Sequence, residues 1–357
     1  MKIGIIGCGK IAVKAHLPSF MAIPEAEVVS VADIDEEKAK YVAKKFGVRK
    51  YFKDYNYVIN DKEIDLVDIC TTPETHAKIA INAASNGKHI LVEKPIASNV
   101  REAVEMIKVA KRNGVRLCVV HNFRYFSAMQ GVKRSILEGR IGNVTSIQGV
   151  CHQHFPLRWS PRTWWFNQGG VIYDIGIHMI DAILWLAEDY PKEVYAVGGD
   201  YLNGMNCVNQ ASVLIEFSGK KVALCDFSWL TGRTIFSIWV HGTAGHIFSD
   251  MCFNHFYEAH GVPTPIDEIK NFSLKMFTFF KDLISGRFFL SSLAYHKPLI
   301  EKFIESIKSK EREPVTGEEA LLALAVAEAI VQSINEKDKI DIMKMIQSKS
   351  GDKNLCV

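Results

Sequence analysis

The chain has 357 residues, of which 48% are hydrophobic and 23% are charged, so it can bury a sizeable core and is long enough for two domains. Its 43 Lys and Arg residues nearly balance 40 Asp and Glu residues, and no basic run is dense enough to follow a phosphate backbone. No apolar run approaches the roughly 20 residues of a membrane span. Neither nucleic acid nor a membrane is therefore an expected partner.

The eight cysteines never form a C-x-x-C pair, and most lie in apolar runs, as small hydrophobic residues do. This usage indicates a reducing compartment. Because the chain also enters a strand at Lys2 without a basic and apolar leader, a cytoplasmic location is expected.

The first predicted element is a strand that runs into a glycine turn, KIGIIGCGKIA. Gly7 permits a tight turn, Gly9 allows a pyrophosphate to approach the backbone, and the small Ala12 lets the following helix pack on the strand. The N-terminus of that helix would face the phosphates. This order predicts a dinucleotide site, and the alternative is an ordinary strand-to-helix turn.

A second strand, EVVSVAD, ends at Asp33, which lies 21 residues beyond Ala12. An acidic residue at about this distance meets the adenosine ribose hydroxyls in dinucleotide sites, so Asp33 favours NAD over NADP. The alternative is that Asp33 caps the next helix, because Glu36 follows it at the spacing of a capping box.

Three further strand-like runs follow at 64–70, 89–93 and 115–120, and the two helical stretches between them end in Asn-Gly. The second of these helices begins with Asn99 and Glu102 at capping spacing. Alternating strands and helices predict a parallel, doubly wound sheet with ligands at the carboxyl ends of its strands. TTPETH after the first run and EKP after the second would thus lie on the cofactor rim.

Five stretches of the sequence together resemble the Gfo/Idh/MocA family of NAD(P)-dependent sugar and polyol dehydrogenases: GCGKIA, VADID, TTPETHAKIA, GKHILVEKPIA and GGVIYDIGIHMID. The departures are that Ala12 replaces the third glycine and that Val171 follows Gly169-Gly170 where many members have another glycine. The resemblance implies a nicotinamide dinucleotide as cofactor, and Asp33 favours NAD over NADP. The cofactor site would comprise Gly7, Gly9, Lys10, Ile11, Asp33, Thr71, Thr72, Pro73, His76, Glu93 and Lys94.

From about Ile141 the pattern changes to successive strand-like runs separated by Gly and Asn turns, which indicates a mostly antiparallel sheet. The resemblance implies that this is an open-faced substrate platform. The expected fold is an α/β N-terminal Rossmann domain, residues 1–122, followed by an α+β C-terminal domain, residues 123–357. The second domain would bind substrate and mediate oligomerisation.

The run YDIGIHMIDAILWLAED predicts an apolar helix with Asp174, His178 and Asp181 on one face. Three interpretations compete: a solvent-facing stripe, a metal site with three ligands, and a catalytic pair. The preceding Gly169-Gly170, which permits close backbone approach, and the resemblance both favour catalysis. The family's helix Asp and His map onto Asp174 and His178, and its EKP lysine maps onto Lys94.

These residue types suit alcohol oxidation by NAD, which requires removal of the hydroxyl proton as hydride leaves carbon. His178 would be the base, Asp174 would hold its tautomer, and Lys94 would hydrogen-bond the same oxygen. Pro95 fixes the bend after Lys94, and the peptide bond between them is a candidate for the cis form. Glu93 would either pair with Lys94 or anchor the turn.

Further substrate candidates follow the last Rossmann-type strand. Asn122 and Arg124 lie at its end, with linker hydrogen bonding as the alternative. His152 and His154 alternate on one face of a strand and would contact substrate, bind a metal or serve as core histidines, the last being favoured. Trp165 is the candidate chosen from the aromatic run RWSPRTWWFN, whose rings could stack on a sugar or pack in the core. The predicted substrate site comprises Lys94, Asn122, Arg124, His154, Trp165, Asp174 and His178.

The Phe-rich stretch 272–309 could complete the core, cover the site or form a subunit contact. Together with the open sheet face it presents more apolar surface than a monomer usually exposes, so a homodimer or homotetramer is expected. A final helix should begin with Thr316 and Glu319 as a capping box. The leading function is an NAD-dependent dehydrogenase of a sugar or cyclic polyol such as inositol. The alternatives are an NAD-retaining glycoside hydrolase of the same family and a non-enzymatic NAD or sugar sensor.

Overall fold

The computed structural model describes residues 1–154, 169–202, 204–261, 264–266, 269, 272–273, 276–277, 280 and 291–351. The chain divides into two compact units, one built from Met1–Asn122 with Leu290–Leu324 and the other from Phe123–Phe289 with Ala325–Cys356. The late segment Leu290–Leu324 thus belongs with the first unit, although it lies after the predicted domain boundary at residue 122. Within the described ranges, no helix has the length and apolar character needed to cross a bilayer.

The first unit contains the predicted parallel, doubly wound sheet. Its strands in chain order are β1 (Lys2–Ile6), β2 (Glu27–Ala32), β3 (Lys50–Phe52), β4 (Leu66–Ile69), β5 (His89–Val92) and β6 (Leu117–Val119). They are hydrogen-bonded in the order β3-β2-β1-β4-β5-β6, and every pair is parallel. Strands covered on both faces are mostly apolar, as β1, β4 and β5 are, and the buried Asp68 of β4 is the charged exception inside them.

The helices of both units, in chain order, are α1 (Leu17–Met21), α2 (Glu36–Phe46), α3 (Asn56–Ile59), α4 (Pro73–Ser85), α5 (Val100–Arg112), α6 (Ser127–Leu137), α7 (Ile177–Ala187), α8 (Ser291–Ser309), α9 (Gly317–Glu336) and α10 (Ile342–Ser350). The predicted start of α5 is confirmed, because the Asn99 side chain accepts from the Glu102 backbone N–H at 3.0 Å. The capping box of α9 is also confirmed: Thr316 and Glu319 bond each other's backbone N–H at 3.2 and 3.0 Å.

Two predicted helices begin with π-helical segments. One is Ala12–His16, which leads into α1, and the other is Ile172–Gly176, which leads into α7. π-Helical turns are rare in proteins, and those that do occur often lie at functional sites. The first segment carries His16 and the second carries Asp174.

The second unit contains the predicted, mostly antiparallel sheet. Its strands are β7 (Val144–His152), β8 (Pro191–Gly199), β9 (Gln210–Phe217), β10 (Val222–Ser228), β11 (Ile235–Gly242), β12 (His246–Asp250), β13 (His255–Ala259) and β14 (Ile340–Asp341). Their order is β13-β12-β11-β7-β10-β9-β8-β14, and β7 with β10 is parallel while the other pairs are antiparallel.

Helix α7 covers one face of this sheet. A Cβ added at Gly149 in β7 would lie 2.8 Å from Met179 of α7, so the glycine permits close packing of helix on strand. The opposite face carries exposed apolar side chains, including Tyr195, Leu214 and Leu224. The predicted open-faced sheet is therefore present.

Candidate active site

The predicted cofactor residues follow one row of the first unit's sheet. The row consists of the in-register residues Ala32, Ile6, Ile69 and Val92, one from each of four neighbouring strands. The residues directly after them are Asp33, Gly7, Cys70 and Glu93. The carboxyl ends of β2, β1, β4 and β5 thus bring the acidic residue, the glycine turn, the TTPETH loop and the EKP turn to the same edge.

The glycine turn fits a dinucleotide. Gly7 has φ +96°, and a Cβ there would lie 2.6 Å from the Cys70 carbonyl oxygen, so only glycine is accommodated. At Gly9 a Cβ would meet no described protein atom within 4 Å, so the backbone faces open space where a pyrophosphate could approach. Lys10 is exposed and Ile11 is half-buried beside this space. Peptide N–H groups at the start of the following helix suit a phosphate.

Asp33 links the glycine turn to the loop after β2. One carboxylate oxygen accepts from the Cys8 backbone N–H at 2.8 Å and the other from the Asp35 N–H at 3.0 Å, while Lys38 Nζ lies 3.5 Å away. Helix α2 is capped by Asp35, which accepts from the Lys38 N–H at 3.2 Å. The interpretation of Asp33 as the helix cap is therefore wrong.

The TTPETH loop opens α4, with Thr72 at its N-cap and Pro73 as its first residue. Thr72 is exposed and Thr71 is half-buried. His76 is fully buried, and its ring nitrogens lie 2.9 Å from the Pro95 carbonyl oxygen and 3.2 Å from that of Thr71. Burial lowers the pKa of His76. The buried ring thus lies between the TTPETH loop and the EKP turn rather than open to a ligand.

Glu93 anchors the EKP turn. Its Oε1 lies 2.8 Å from His16 Nε2, and its Oε2 accepts from the Lys94 backbone N–H at 3.1 Å. Of the two roles considered from the sequence, the turn anchor is the one these contacts describe. The Lys94-Pro95 peptide bond is cis.

A buried ionic network lies behind this turn and was not predicted. His16 Nδ1 lies 2.9 Å from Asp68, and His296 of α8 lies 3.8 Å from Glu93. All four side chains are buried. The available signal was Asp68, a charged residue in the middle of the apolar strand IDLVDIC, because such a residue must find a partner.

In the second unit, Asp174 and His178 lie at the start of the glycine-led helix. Asp174 is buried, and the half-buried His178 ring stacks on Phe123 with centroids 4.5 Å apart and planes inclined by 11°. Gly170 has φ +61°, and a Cβ there would lie 2.0 Å from the Val208 carbonyl oxygen. The glycine pair thus permits the close backbone approach that the sequence suggested.

Asp181 is paired with Arg124, which separates it from the other two polar residues of this helix. Arg124 donates to both carboxylate oxygens, at 2.8 and 2.6 Å, and both side chains are buried. The interpretation of Asp174, His178 and Asp181 as a three-ligand metal site is wrong for this reason. Within the ranges described, the side chains close enough to share a metal are two groups around His16, with Asp68 and Cys70 and with Glu93 and His296.

The remaining predicted substrate residues are dispersed. The Asn122 side-chain amide lies 3.4 Å from the His296 ring, and Arg124 is held in its ion pair. His154 is exposed just beyond β7. Trp165 lies outside the described residues.

A doubly wound unit with a glycine turn at its cofactor edge, joined to an open-faced sheet unit, is the architecture expected of a two-domain oxidoreductase. Residues 1–121 match the Gfo/Idh/MocA oxidoreductase family, NAD-binding Rossmann fold, and residues 129–248 match the C-terminal domain of the same family. The chain belongs to this family of sugar and polyol dehydrogenases, and it is an enzyme with an NAD-binding Rossmann domain.

Three known proteins illustrate the relationship. The myo-inositol 2-dehydrogenase of Thermotoga maritima is 26% identical over 354 residues, which cover 97% of this chain and all of the relative. An uncharacterized oxidoreductase of Rhizobium meliloti is 30% identical over 274 residues, which cover 76% of this chain and 78% of the relative. The WlbA dehydrogenase of Bordetella pertussis, solved with NADH and UDP-GlcNAcA, superimposes with a TM-score of 0.82 at 22% identity, with 96% of this chain and 97% of that one covered. The last similarity shows the fold.

Proposed function

We propose that the chain transfers a hydride between a secondary hydroxyl of a sugar or cyclic polyol and NAD. The observation that carries the proposal is the position of Lys94 in the first unit. It lies two residues beyond β5, at the same sheet edge as the glycine turn after β1, with β4 between these two strands. Adjacent strands are about 4.8 Å apart, so the turn and the EKP backbone are separated by about 10 Å along this edge.

The cofactor would be held by the glycine turn and by Asp33, and when bound it supplies the hydride acceptor. His178 takes the hydroxyl proton in the direction of oxidation, and Asp174 stabilises the imidazolium that forms. Stacking on Phe123 restricts the rotation of the His178 ring, which favours one orientation for proton transfer. Lys94 donates to the reacting oxygen and stabilises its developing negative charge.

Inositol-like polyols are the favoured substrate class, because the relative aligned over nearly the whole chain is named myo-inositol 2-dehydrogenase. The proposal extends to a cytoplasmic location. None of the cysteines in the described part of the chain forms a disulfide, as is typical of proteins from reducing compartments.

The test is a panel of sugars and cyclic polyols, myo-inositol included, assayed with NAD by absorbance at 340 nm. Net reduction of NAD is expected with at least one polyol. Glycoside cleavage without net NADH would indicate the NAD-retaining hydrolase instead. Binding of NAD or sugar without any turnover would indicate the sensor.

On the best substrate, Lys94→Ala and His178→Ala should each lower kcat by about 10²-fold or more with little change in NAD binding. The matched controls are Lys78→Ala on the exposed side of α4 and His260→Ala at an exposed position of the second unit, both expected to keep kcat. Near wild-type kcat in either test variant would remove the role assigned to that residue.

A further inference from the structure

A chain of buried polar contacts leads from the interior of the first unit to the backbone of Lys94. Both carboxylate oxygens of Asp68 lie within 3.0 Å of His16 Nδ1. His16 Nε2 lies 2.8 Å from Glu93 Oε1, and Glu93 Oε2 accepts from the Lys94 N–H. His16 and Asp68 are fully buried, so no solvent competes for the contacts between them.

The contacts fix the charge state of His16. An ionised carboxylate can only accept a hydrogen bond, and a neutral imidazole has one N–H. Because both ring nitrogens face a carboxylate, the ring carries both protons as an imidazolium. Burial alone lowers the pKa of His16, but attraction to Asp68 outweighs it and raises the pKa well above its usual value. For Glu93, burial opposes ionisation, yet hydrogen bonds from His16 and His296 lower its pKa.

Glu93 is thereby held at both oxygens. The imidazolium holds Oε1 through a charge-assisted bond, which is shorter and stronger than a neutral one, and the Lys94 N–H holds Oε2. Rotation of the peptide before Lys94 would break the second bond. His16 in turn is fixed by Asp68 on the neighbouring strand β4.

A metal ion is the other occupant that a cluster of His and carboxylate side chains could take. Two ligands bound tetrahedrally to zinc at about 2.0–2.1 Å lie about 3.3 Å apart. The two His16 nitrogens instead lie 2.9 and 2.8 Å from their carboxylate oxygens, which are hydrogen-bond lengths. The distances favour protons between these atoms.

We infer that His16 is a positioning residue that acts through Glu93 to set the direction of Lys94. This inference rests on the proposed role of Lys94 in the reaction. It assigns the helix that follows the glycine turn a second task besides its proposed binding of phosphate, because His16 at the end of its π-helical segment orients the turn that follows β5.

Two near-isosteric variants separate the halves of the network. The His16→Gln amide N–H can reproduce the bond to Glu93 but not that to Asp68, and the His16→Asn amide N–H can reproduce the bond to Asp68 but not that to Glu93. A displaced catalytic group costs up to about 10²-fold in rate. His16→Asn should therefore lose about 10²-fold in kcat, and His16→Gln less than about tenfold. The KM for NAD should change little in both.

Equal losses in the two variants, or wild-type kcat in His16→Asn, would overturn the inference. Lys94→Ala, measured in parallel, separates the failures: if it keeps kcat, the proposed function of Lys94 fails and takes the inference with it. If it loses kcat while the two His16 variants do not differ, only the inference fails.

Two measurements on the wild-type protein keep the inference testable if His16→Asn does not fold. Nitrogen-15 spectra of the histidine side chains at pH 8 should show two ring N–H protons for His16, and a single one would overturn it. Elemental analysis should find no stoichiometric metal. If a chelator removes a bound metal and kcat falls with it, the interpretation of these contacts as a hydrogen-bonded network is overturned.

Discussion

At the scale of single residues, Asp33 shows how a cofactor preference can be built into backbone geometry. Its two oxygens bind the N–H groups of Cys8 and Asp35, so the carboxylate is fixed where β2 meets the glycine turn. Each carboxylate oxygen has a second lone pair that could accept from a ribose hydroxyl. A 2′-phosphate in the same place would meet a negative charge, and Lys38 at 3.5 Å offsets only part of that repulsion.

Asp33→Ser should therefore shift preference toward NADP. The ratio of kcat/KM for NAD to that for NADP is expected to fall by about tenfold or more, equivalent to about 1.4 kcal/mol, because the repulsion is removed while Lys38 remains to attract the phosphate. Steady-state kinetics with both cofactors measure it. Adding Lys38→Met to Asp33→Ser should reverse most of the gain for NADP. Equal use of both cofactors by the wild type would contradict the role of Asp33.

At the scale of elements, the sequence predicted those strands and helix starts that depend on neighbouring residues in the chain. Mostly apolar runs predicted β1, β4 and β5, and polar residues at capping spacing predicted the starts of α5 and α9. The strands β12 and β13 have residues of mixed polarity, so no local pattern defines them and only their partners in the sheet do. The parallel pairing of β7 with β10 likewise depends on sheet order, which no local pattern contains.

The candidate site shows the same division. The glycine turn, Asp33 and the EKP turn were found because each follows a strand at a recognisable spacing. The network of His16, Asp68, Glu93 and His296 was not, because its members come from four separate elements, one of them in the late segment that belongs with the first unit. The pairing of Asp181 with Arg124 could not be predicted for the same reason, since helix spacing alone places Asp181 beside His178.

The same network should make stability depend on pH. His16 has a folded pKa above its usual 6.5, so its contribution is complete below that pH and is lost as pH rises through the folded value. Glu93 has a folded pKa below its usual 4.5, so its contribution is complete above that pH and is lost as pH falls through the folded value. Between about pH 4.5 and 6.5, His16→Leu should cost about 3–5 kcal/mol of unfolding free energy, because it leaves buried carboxylates unpaired.

Urea unfolding of wild type and His16→Leu from pH 3 to pH 10 measures this difference. It should be greatest in the middle of the series and shrink toward both ends. Arg49→Ala, which removes a surface ion pair with Glu63 in the same unit, is the control and should differ little from wild type at any pH. A difference that is smallest near pH 5.5 would contradict the charge states assigned to His16 and Glu93.

At the scale of the whole molecule, the open sheet face of the second unit carries a largely apolar row of side chains. Strand register places seven side chains in one row across neighbouring strands: Tyr195, Leu214, Leu224, Gln148, Trp239, Phe248 and Tyr257. Tyr195, Leu214 and Leu224 are 43%, 42% and 47% exposed. An apolar surface of this extent on a monomer marks an interaction site.

A second copy of the chain is the expected occupant of this face, because a sheet face that packs on itself forms a self-complementary, twofold interface. Specific interfaces bury about 1,200–2,000 Å², which a face of this many strands can supply.

Sedimentation velocity at low micromolar concentration should show a dimer or tetramer. Leu224→Asp should shift it toward monomer, because each twofold contact would bury two unpaired carboxylates. Leu137→Asp, at a position 65% exposed on α6, is the matched control and should leave the assembly intact. A monomeric wild type would contradict the assembly and leave the row of aromatic and apolar side chains for some other partner.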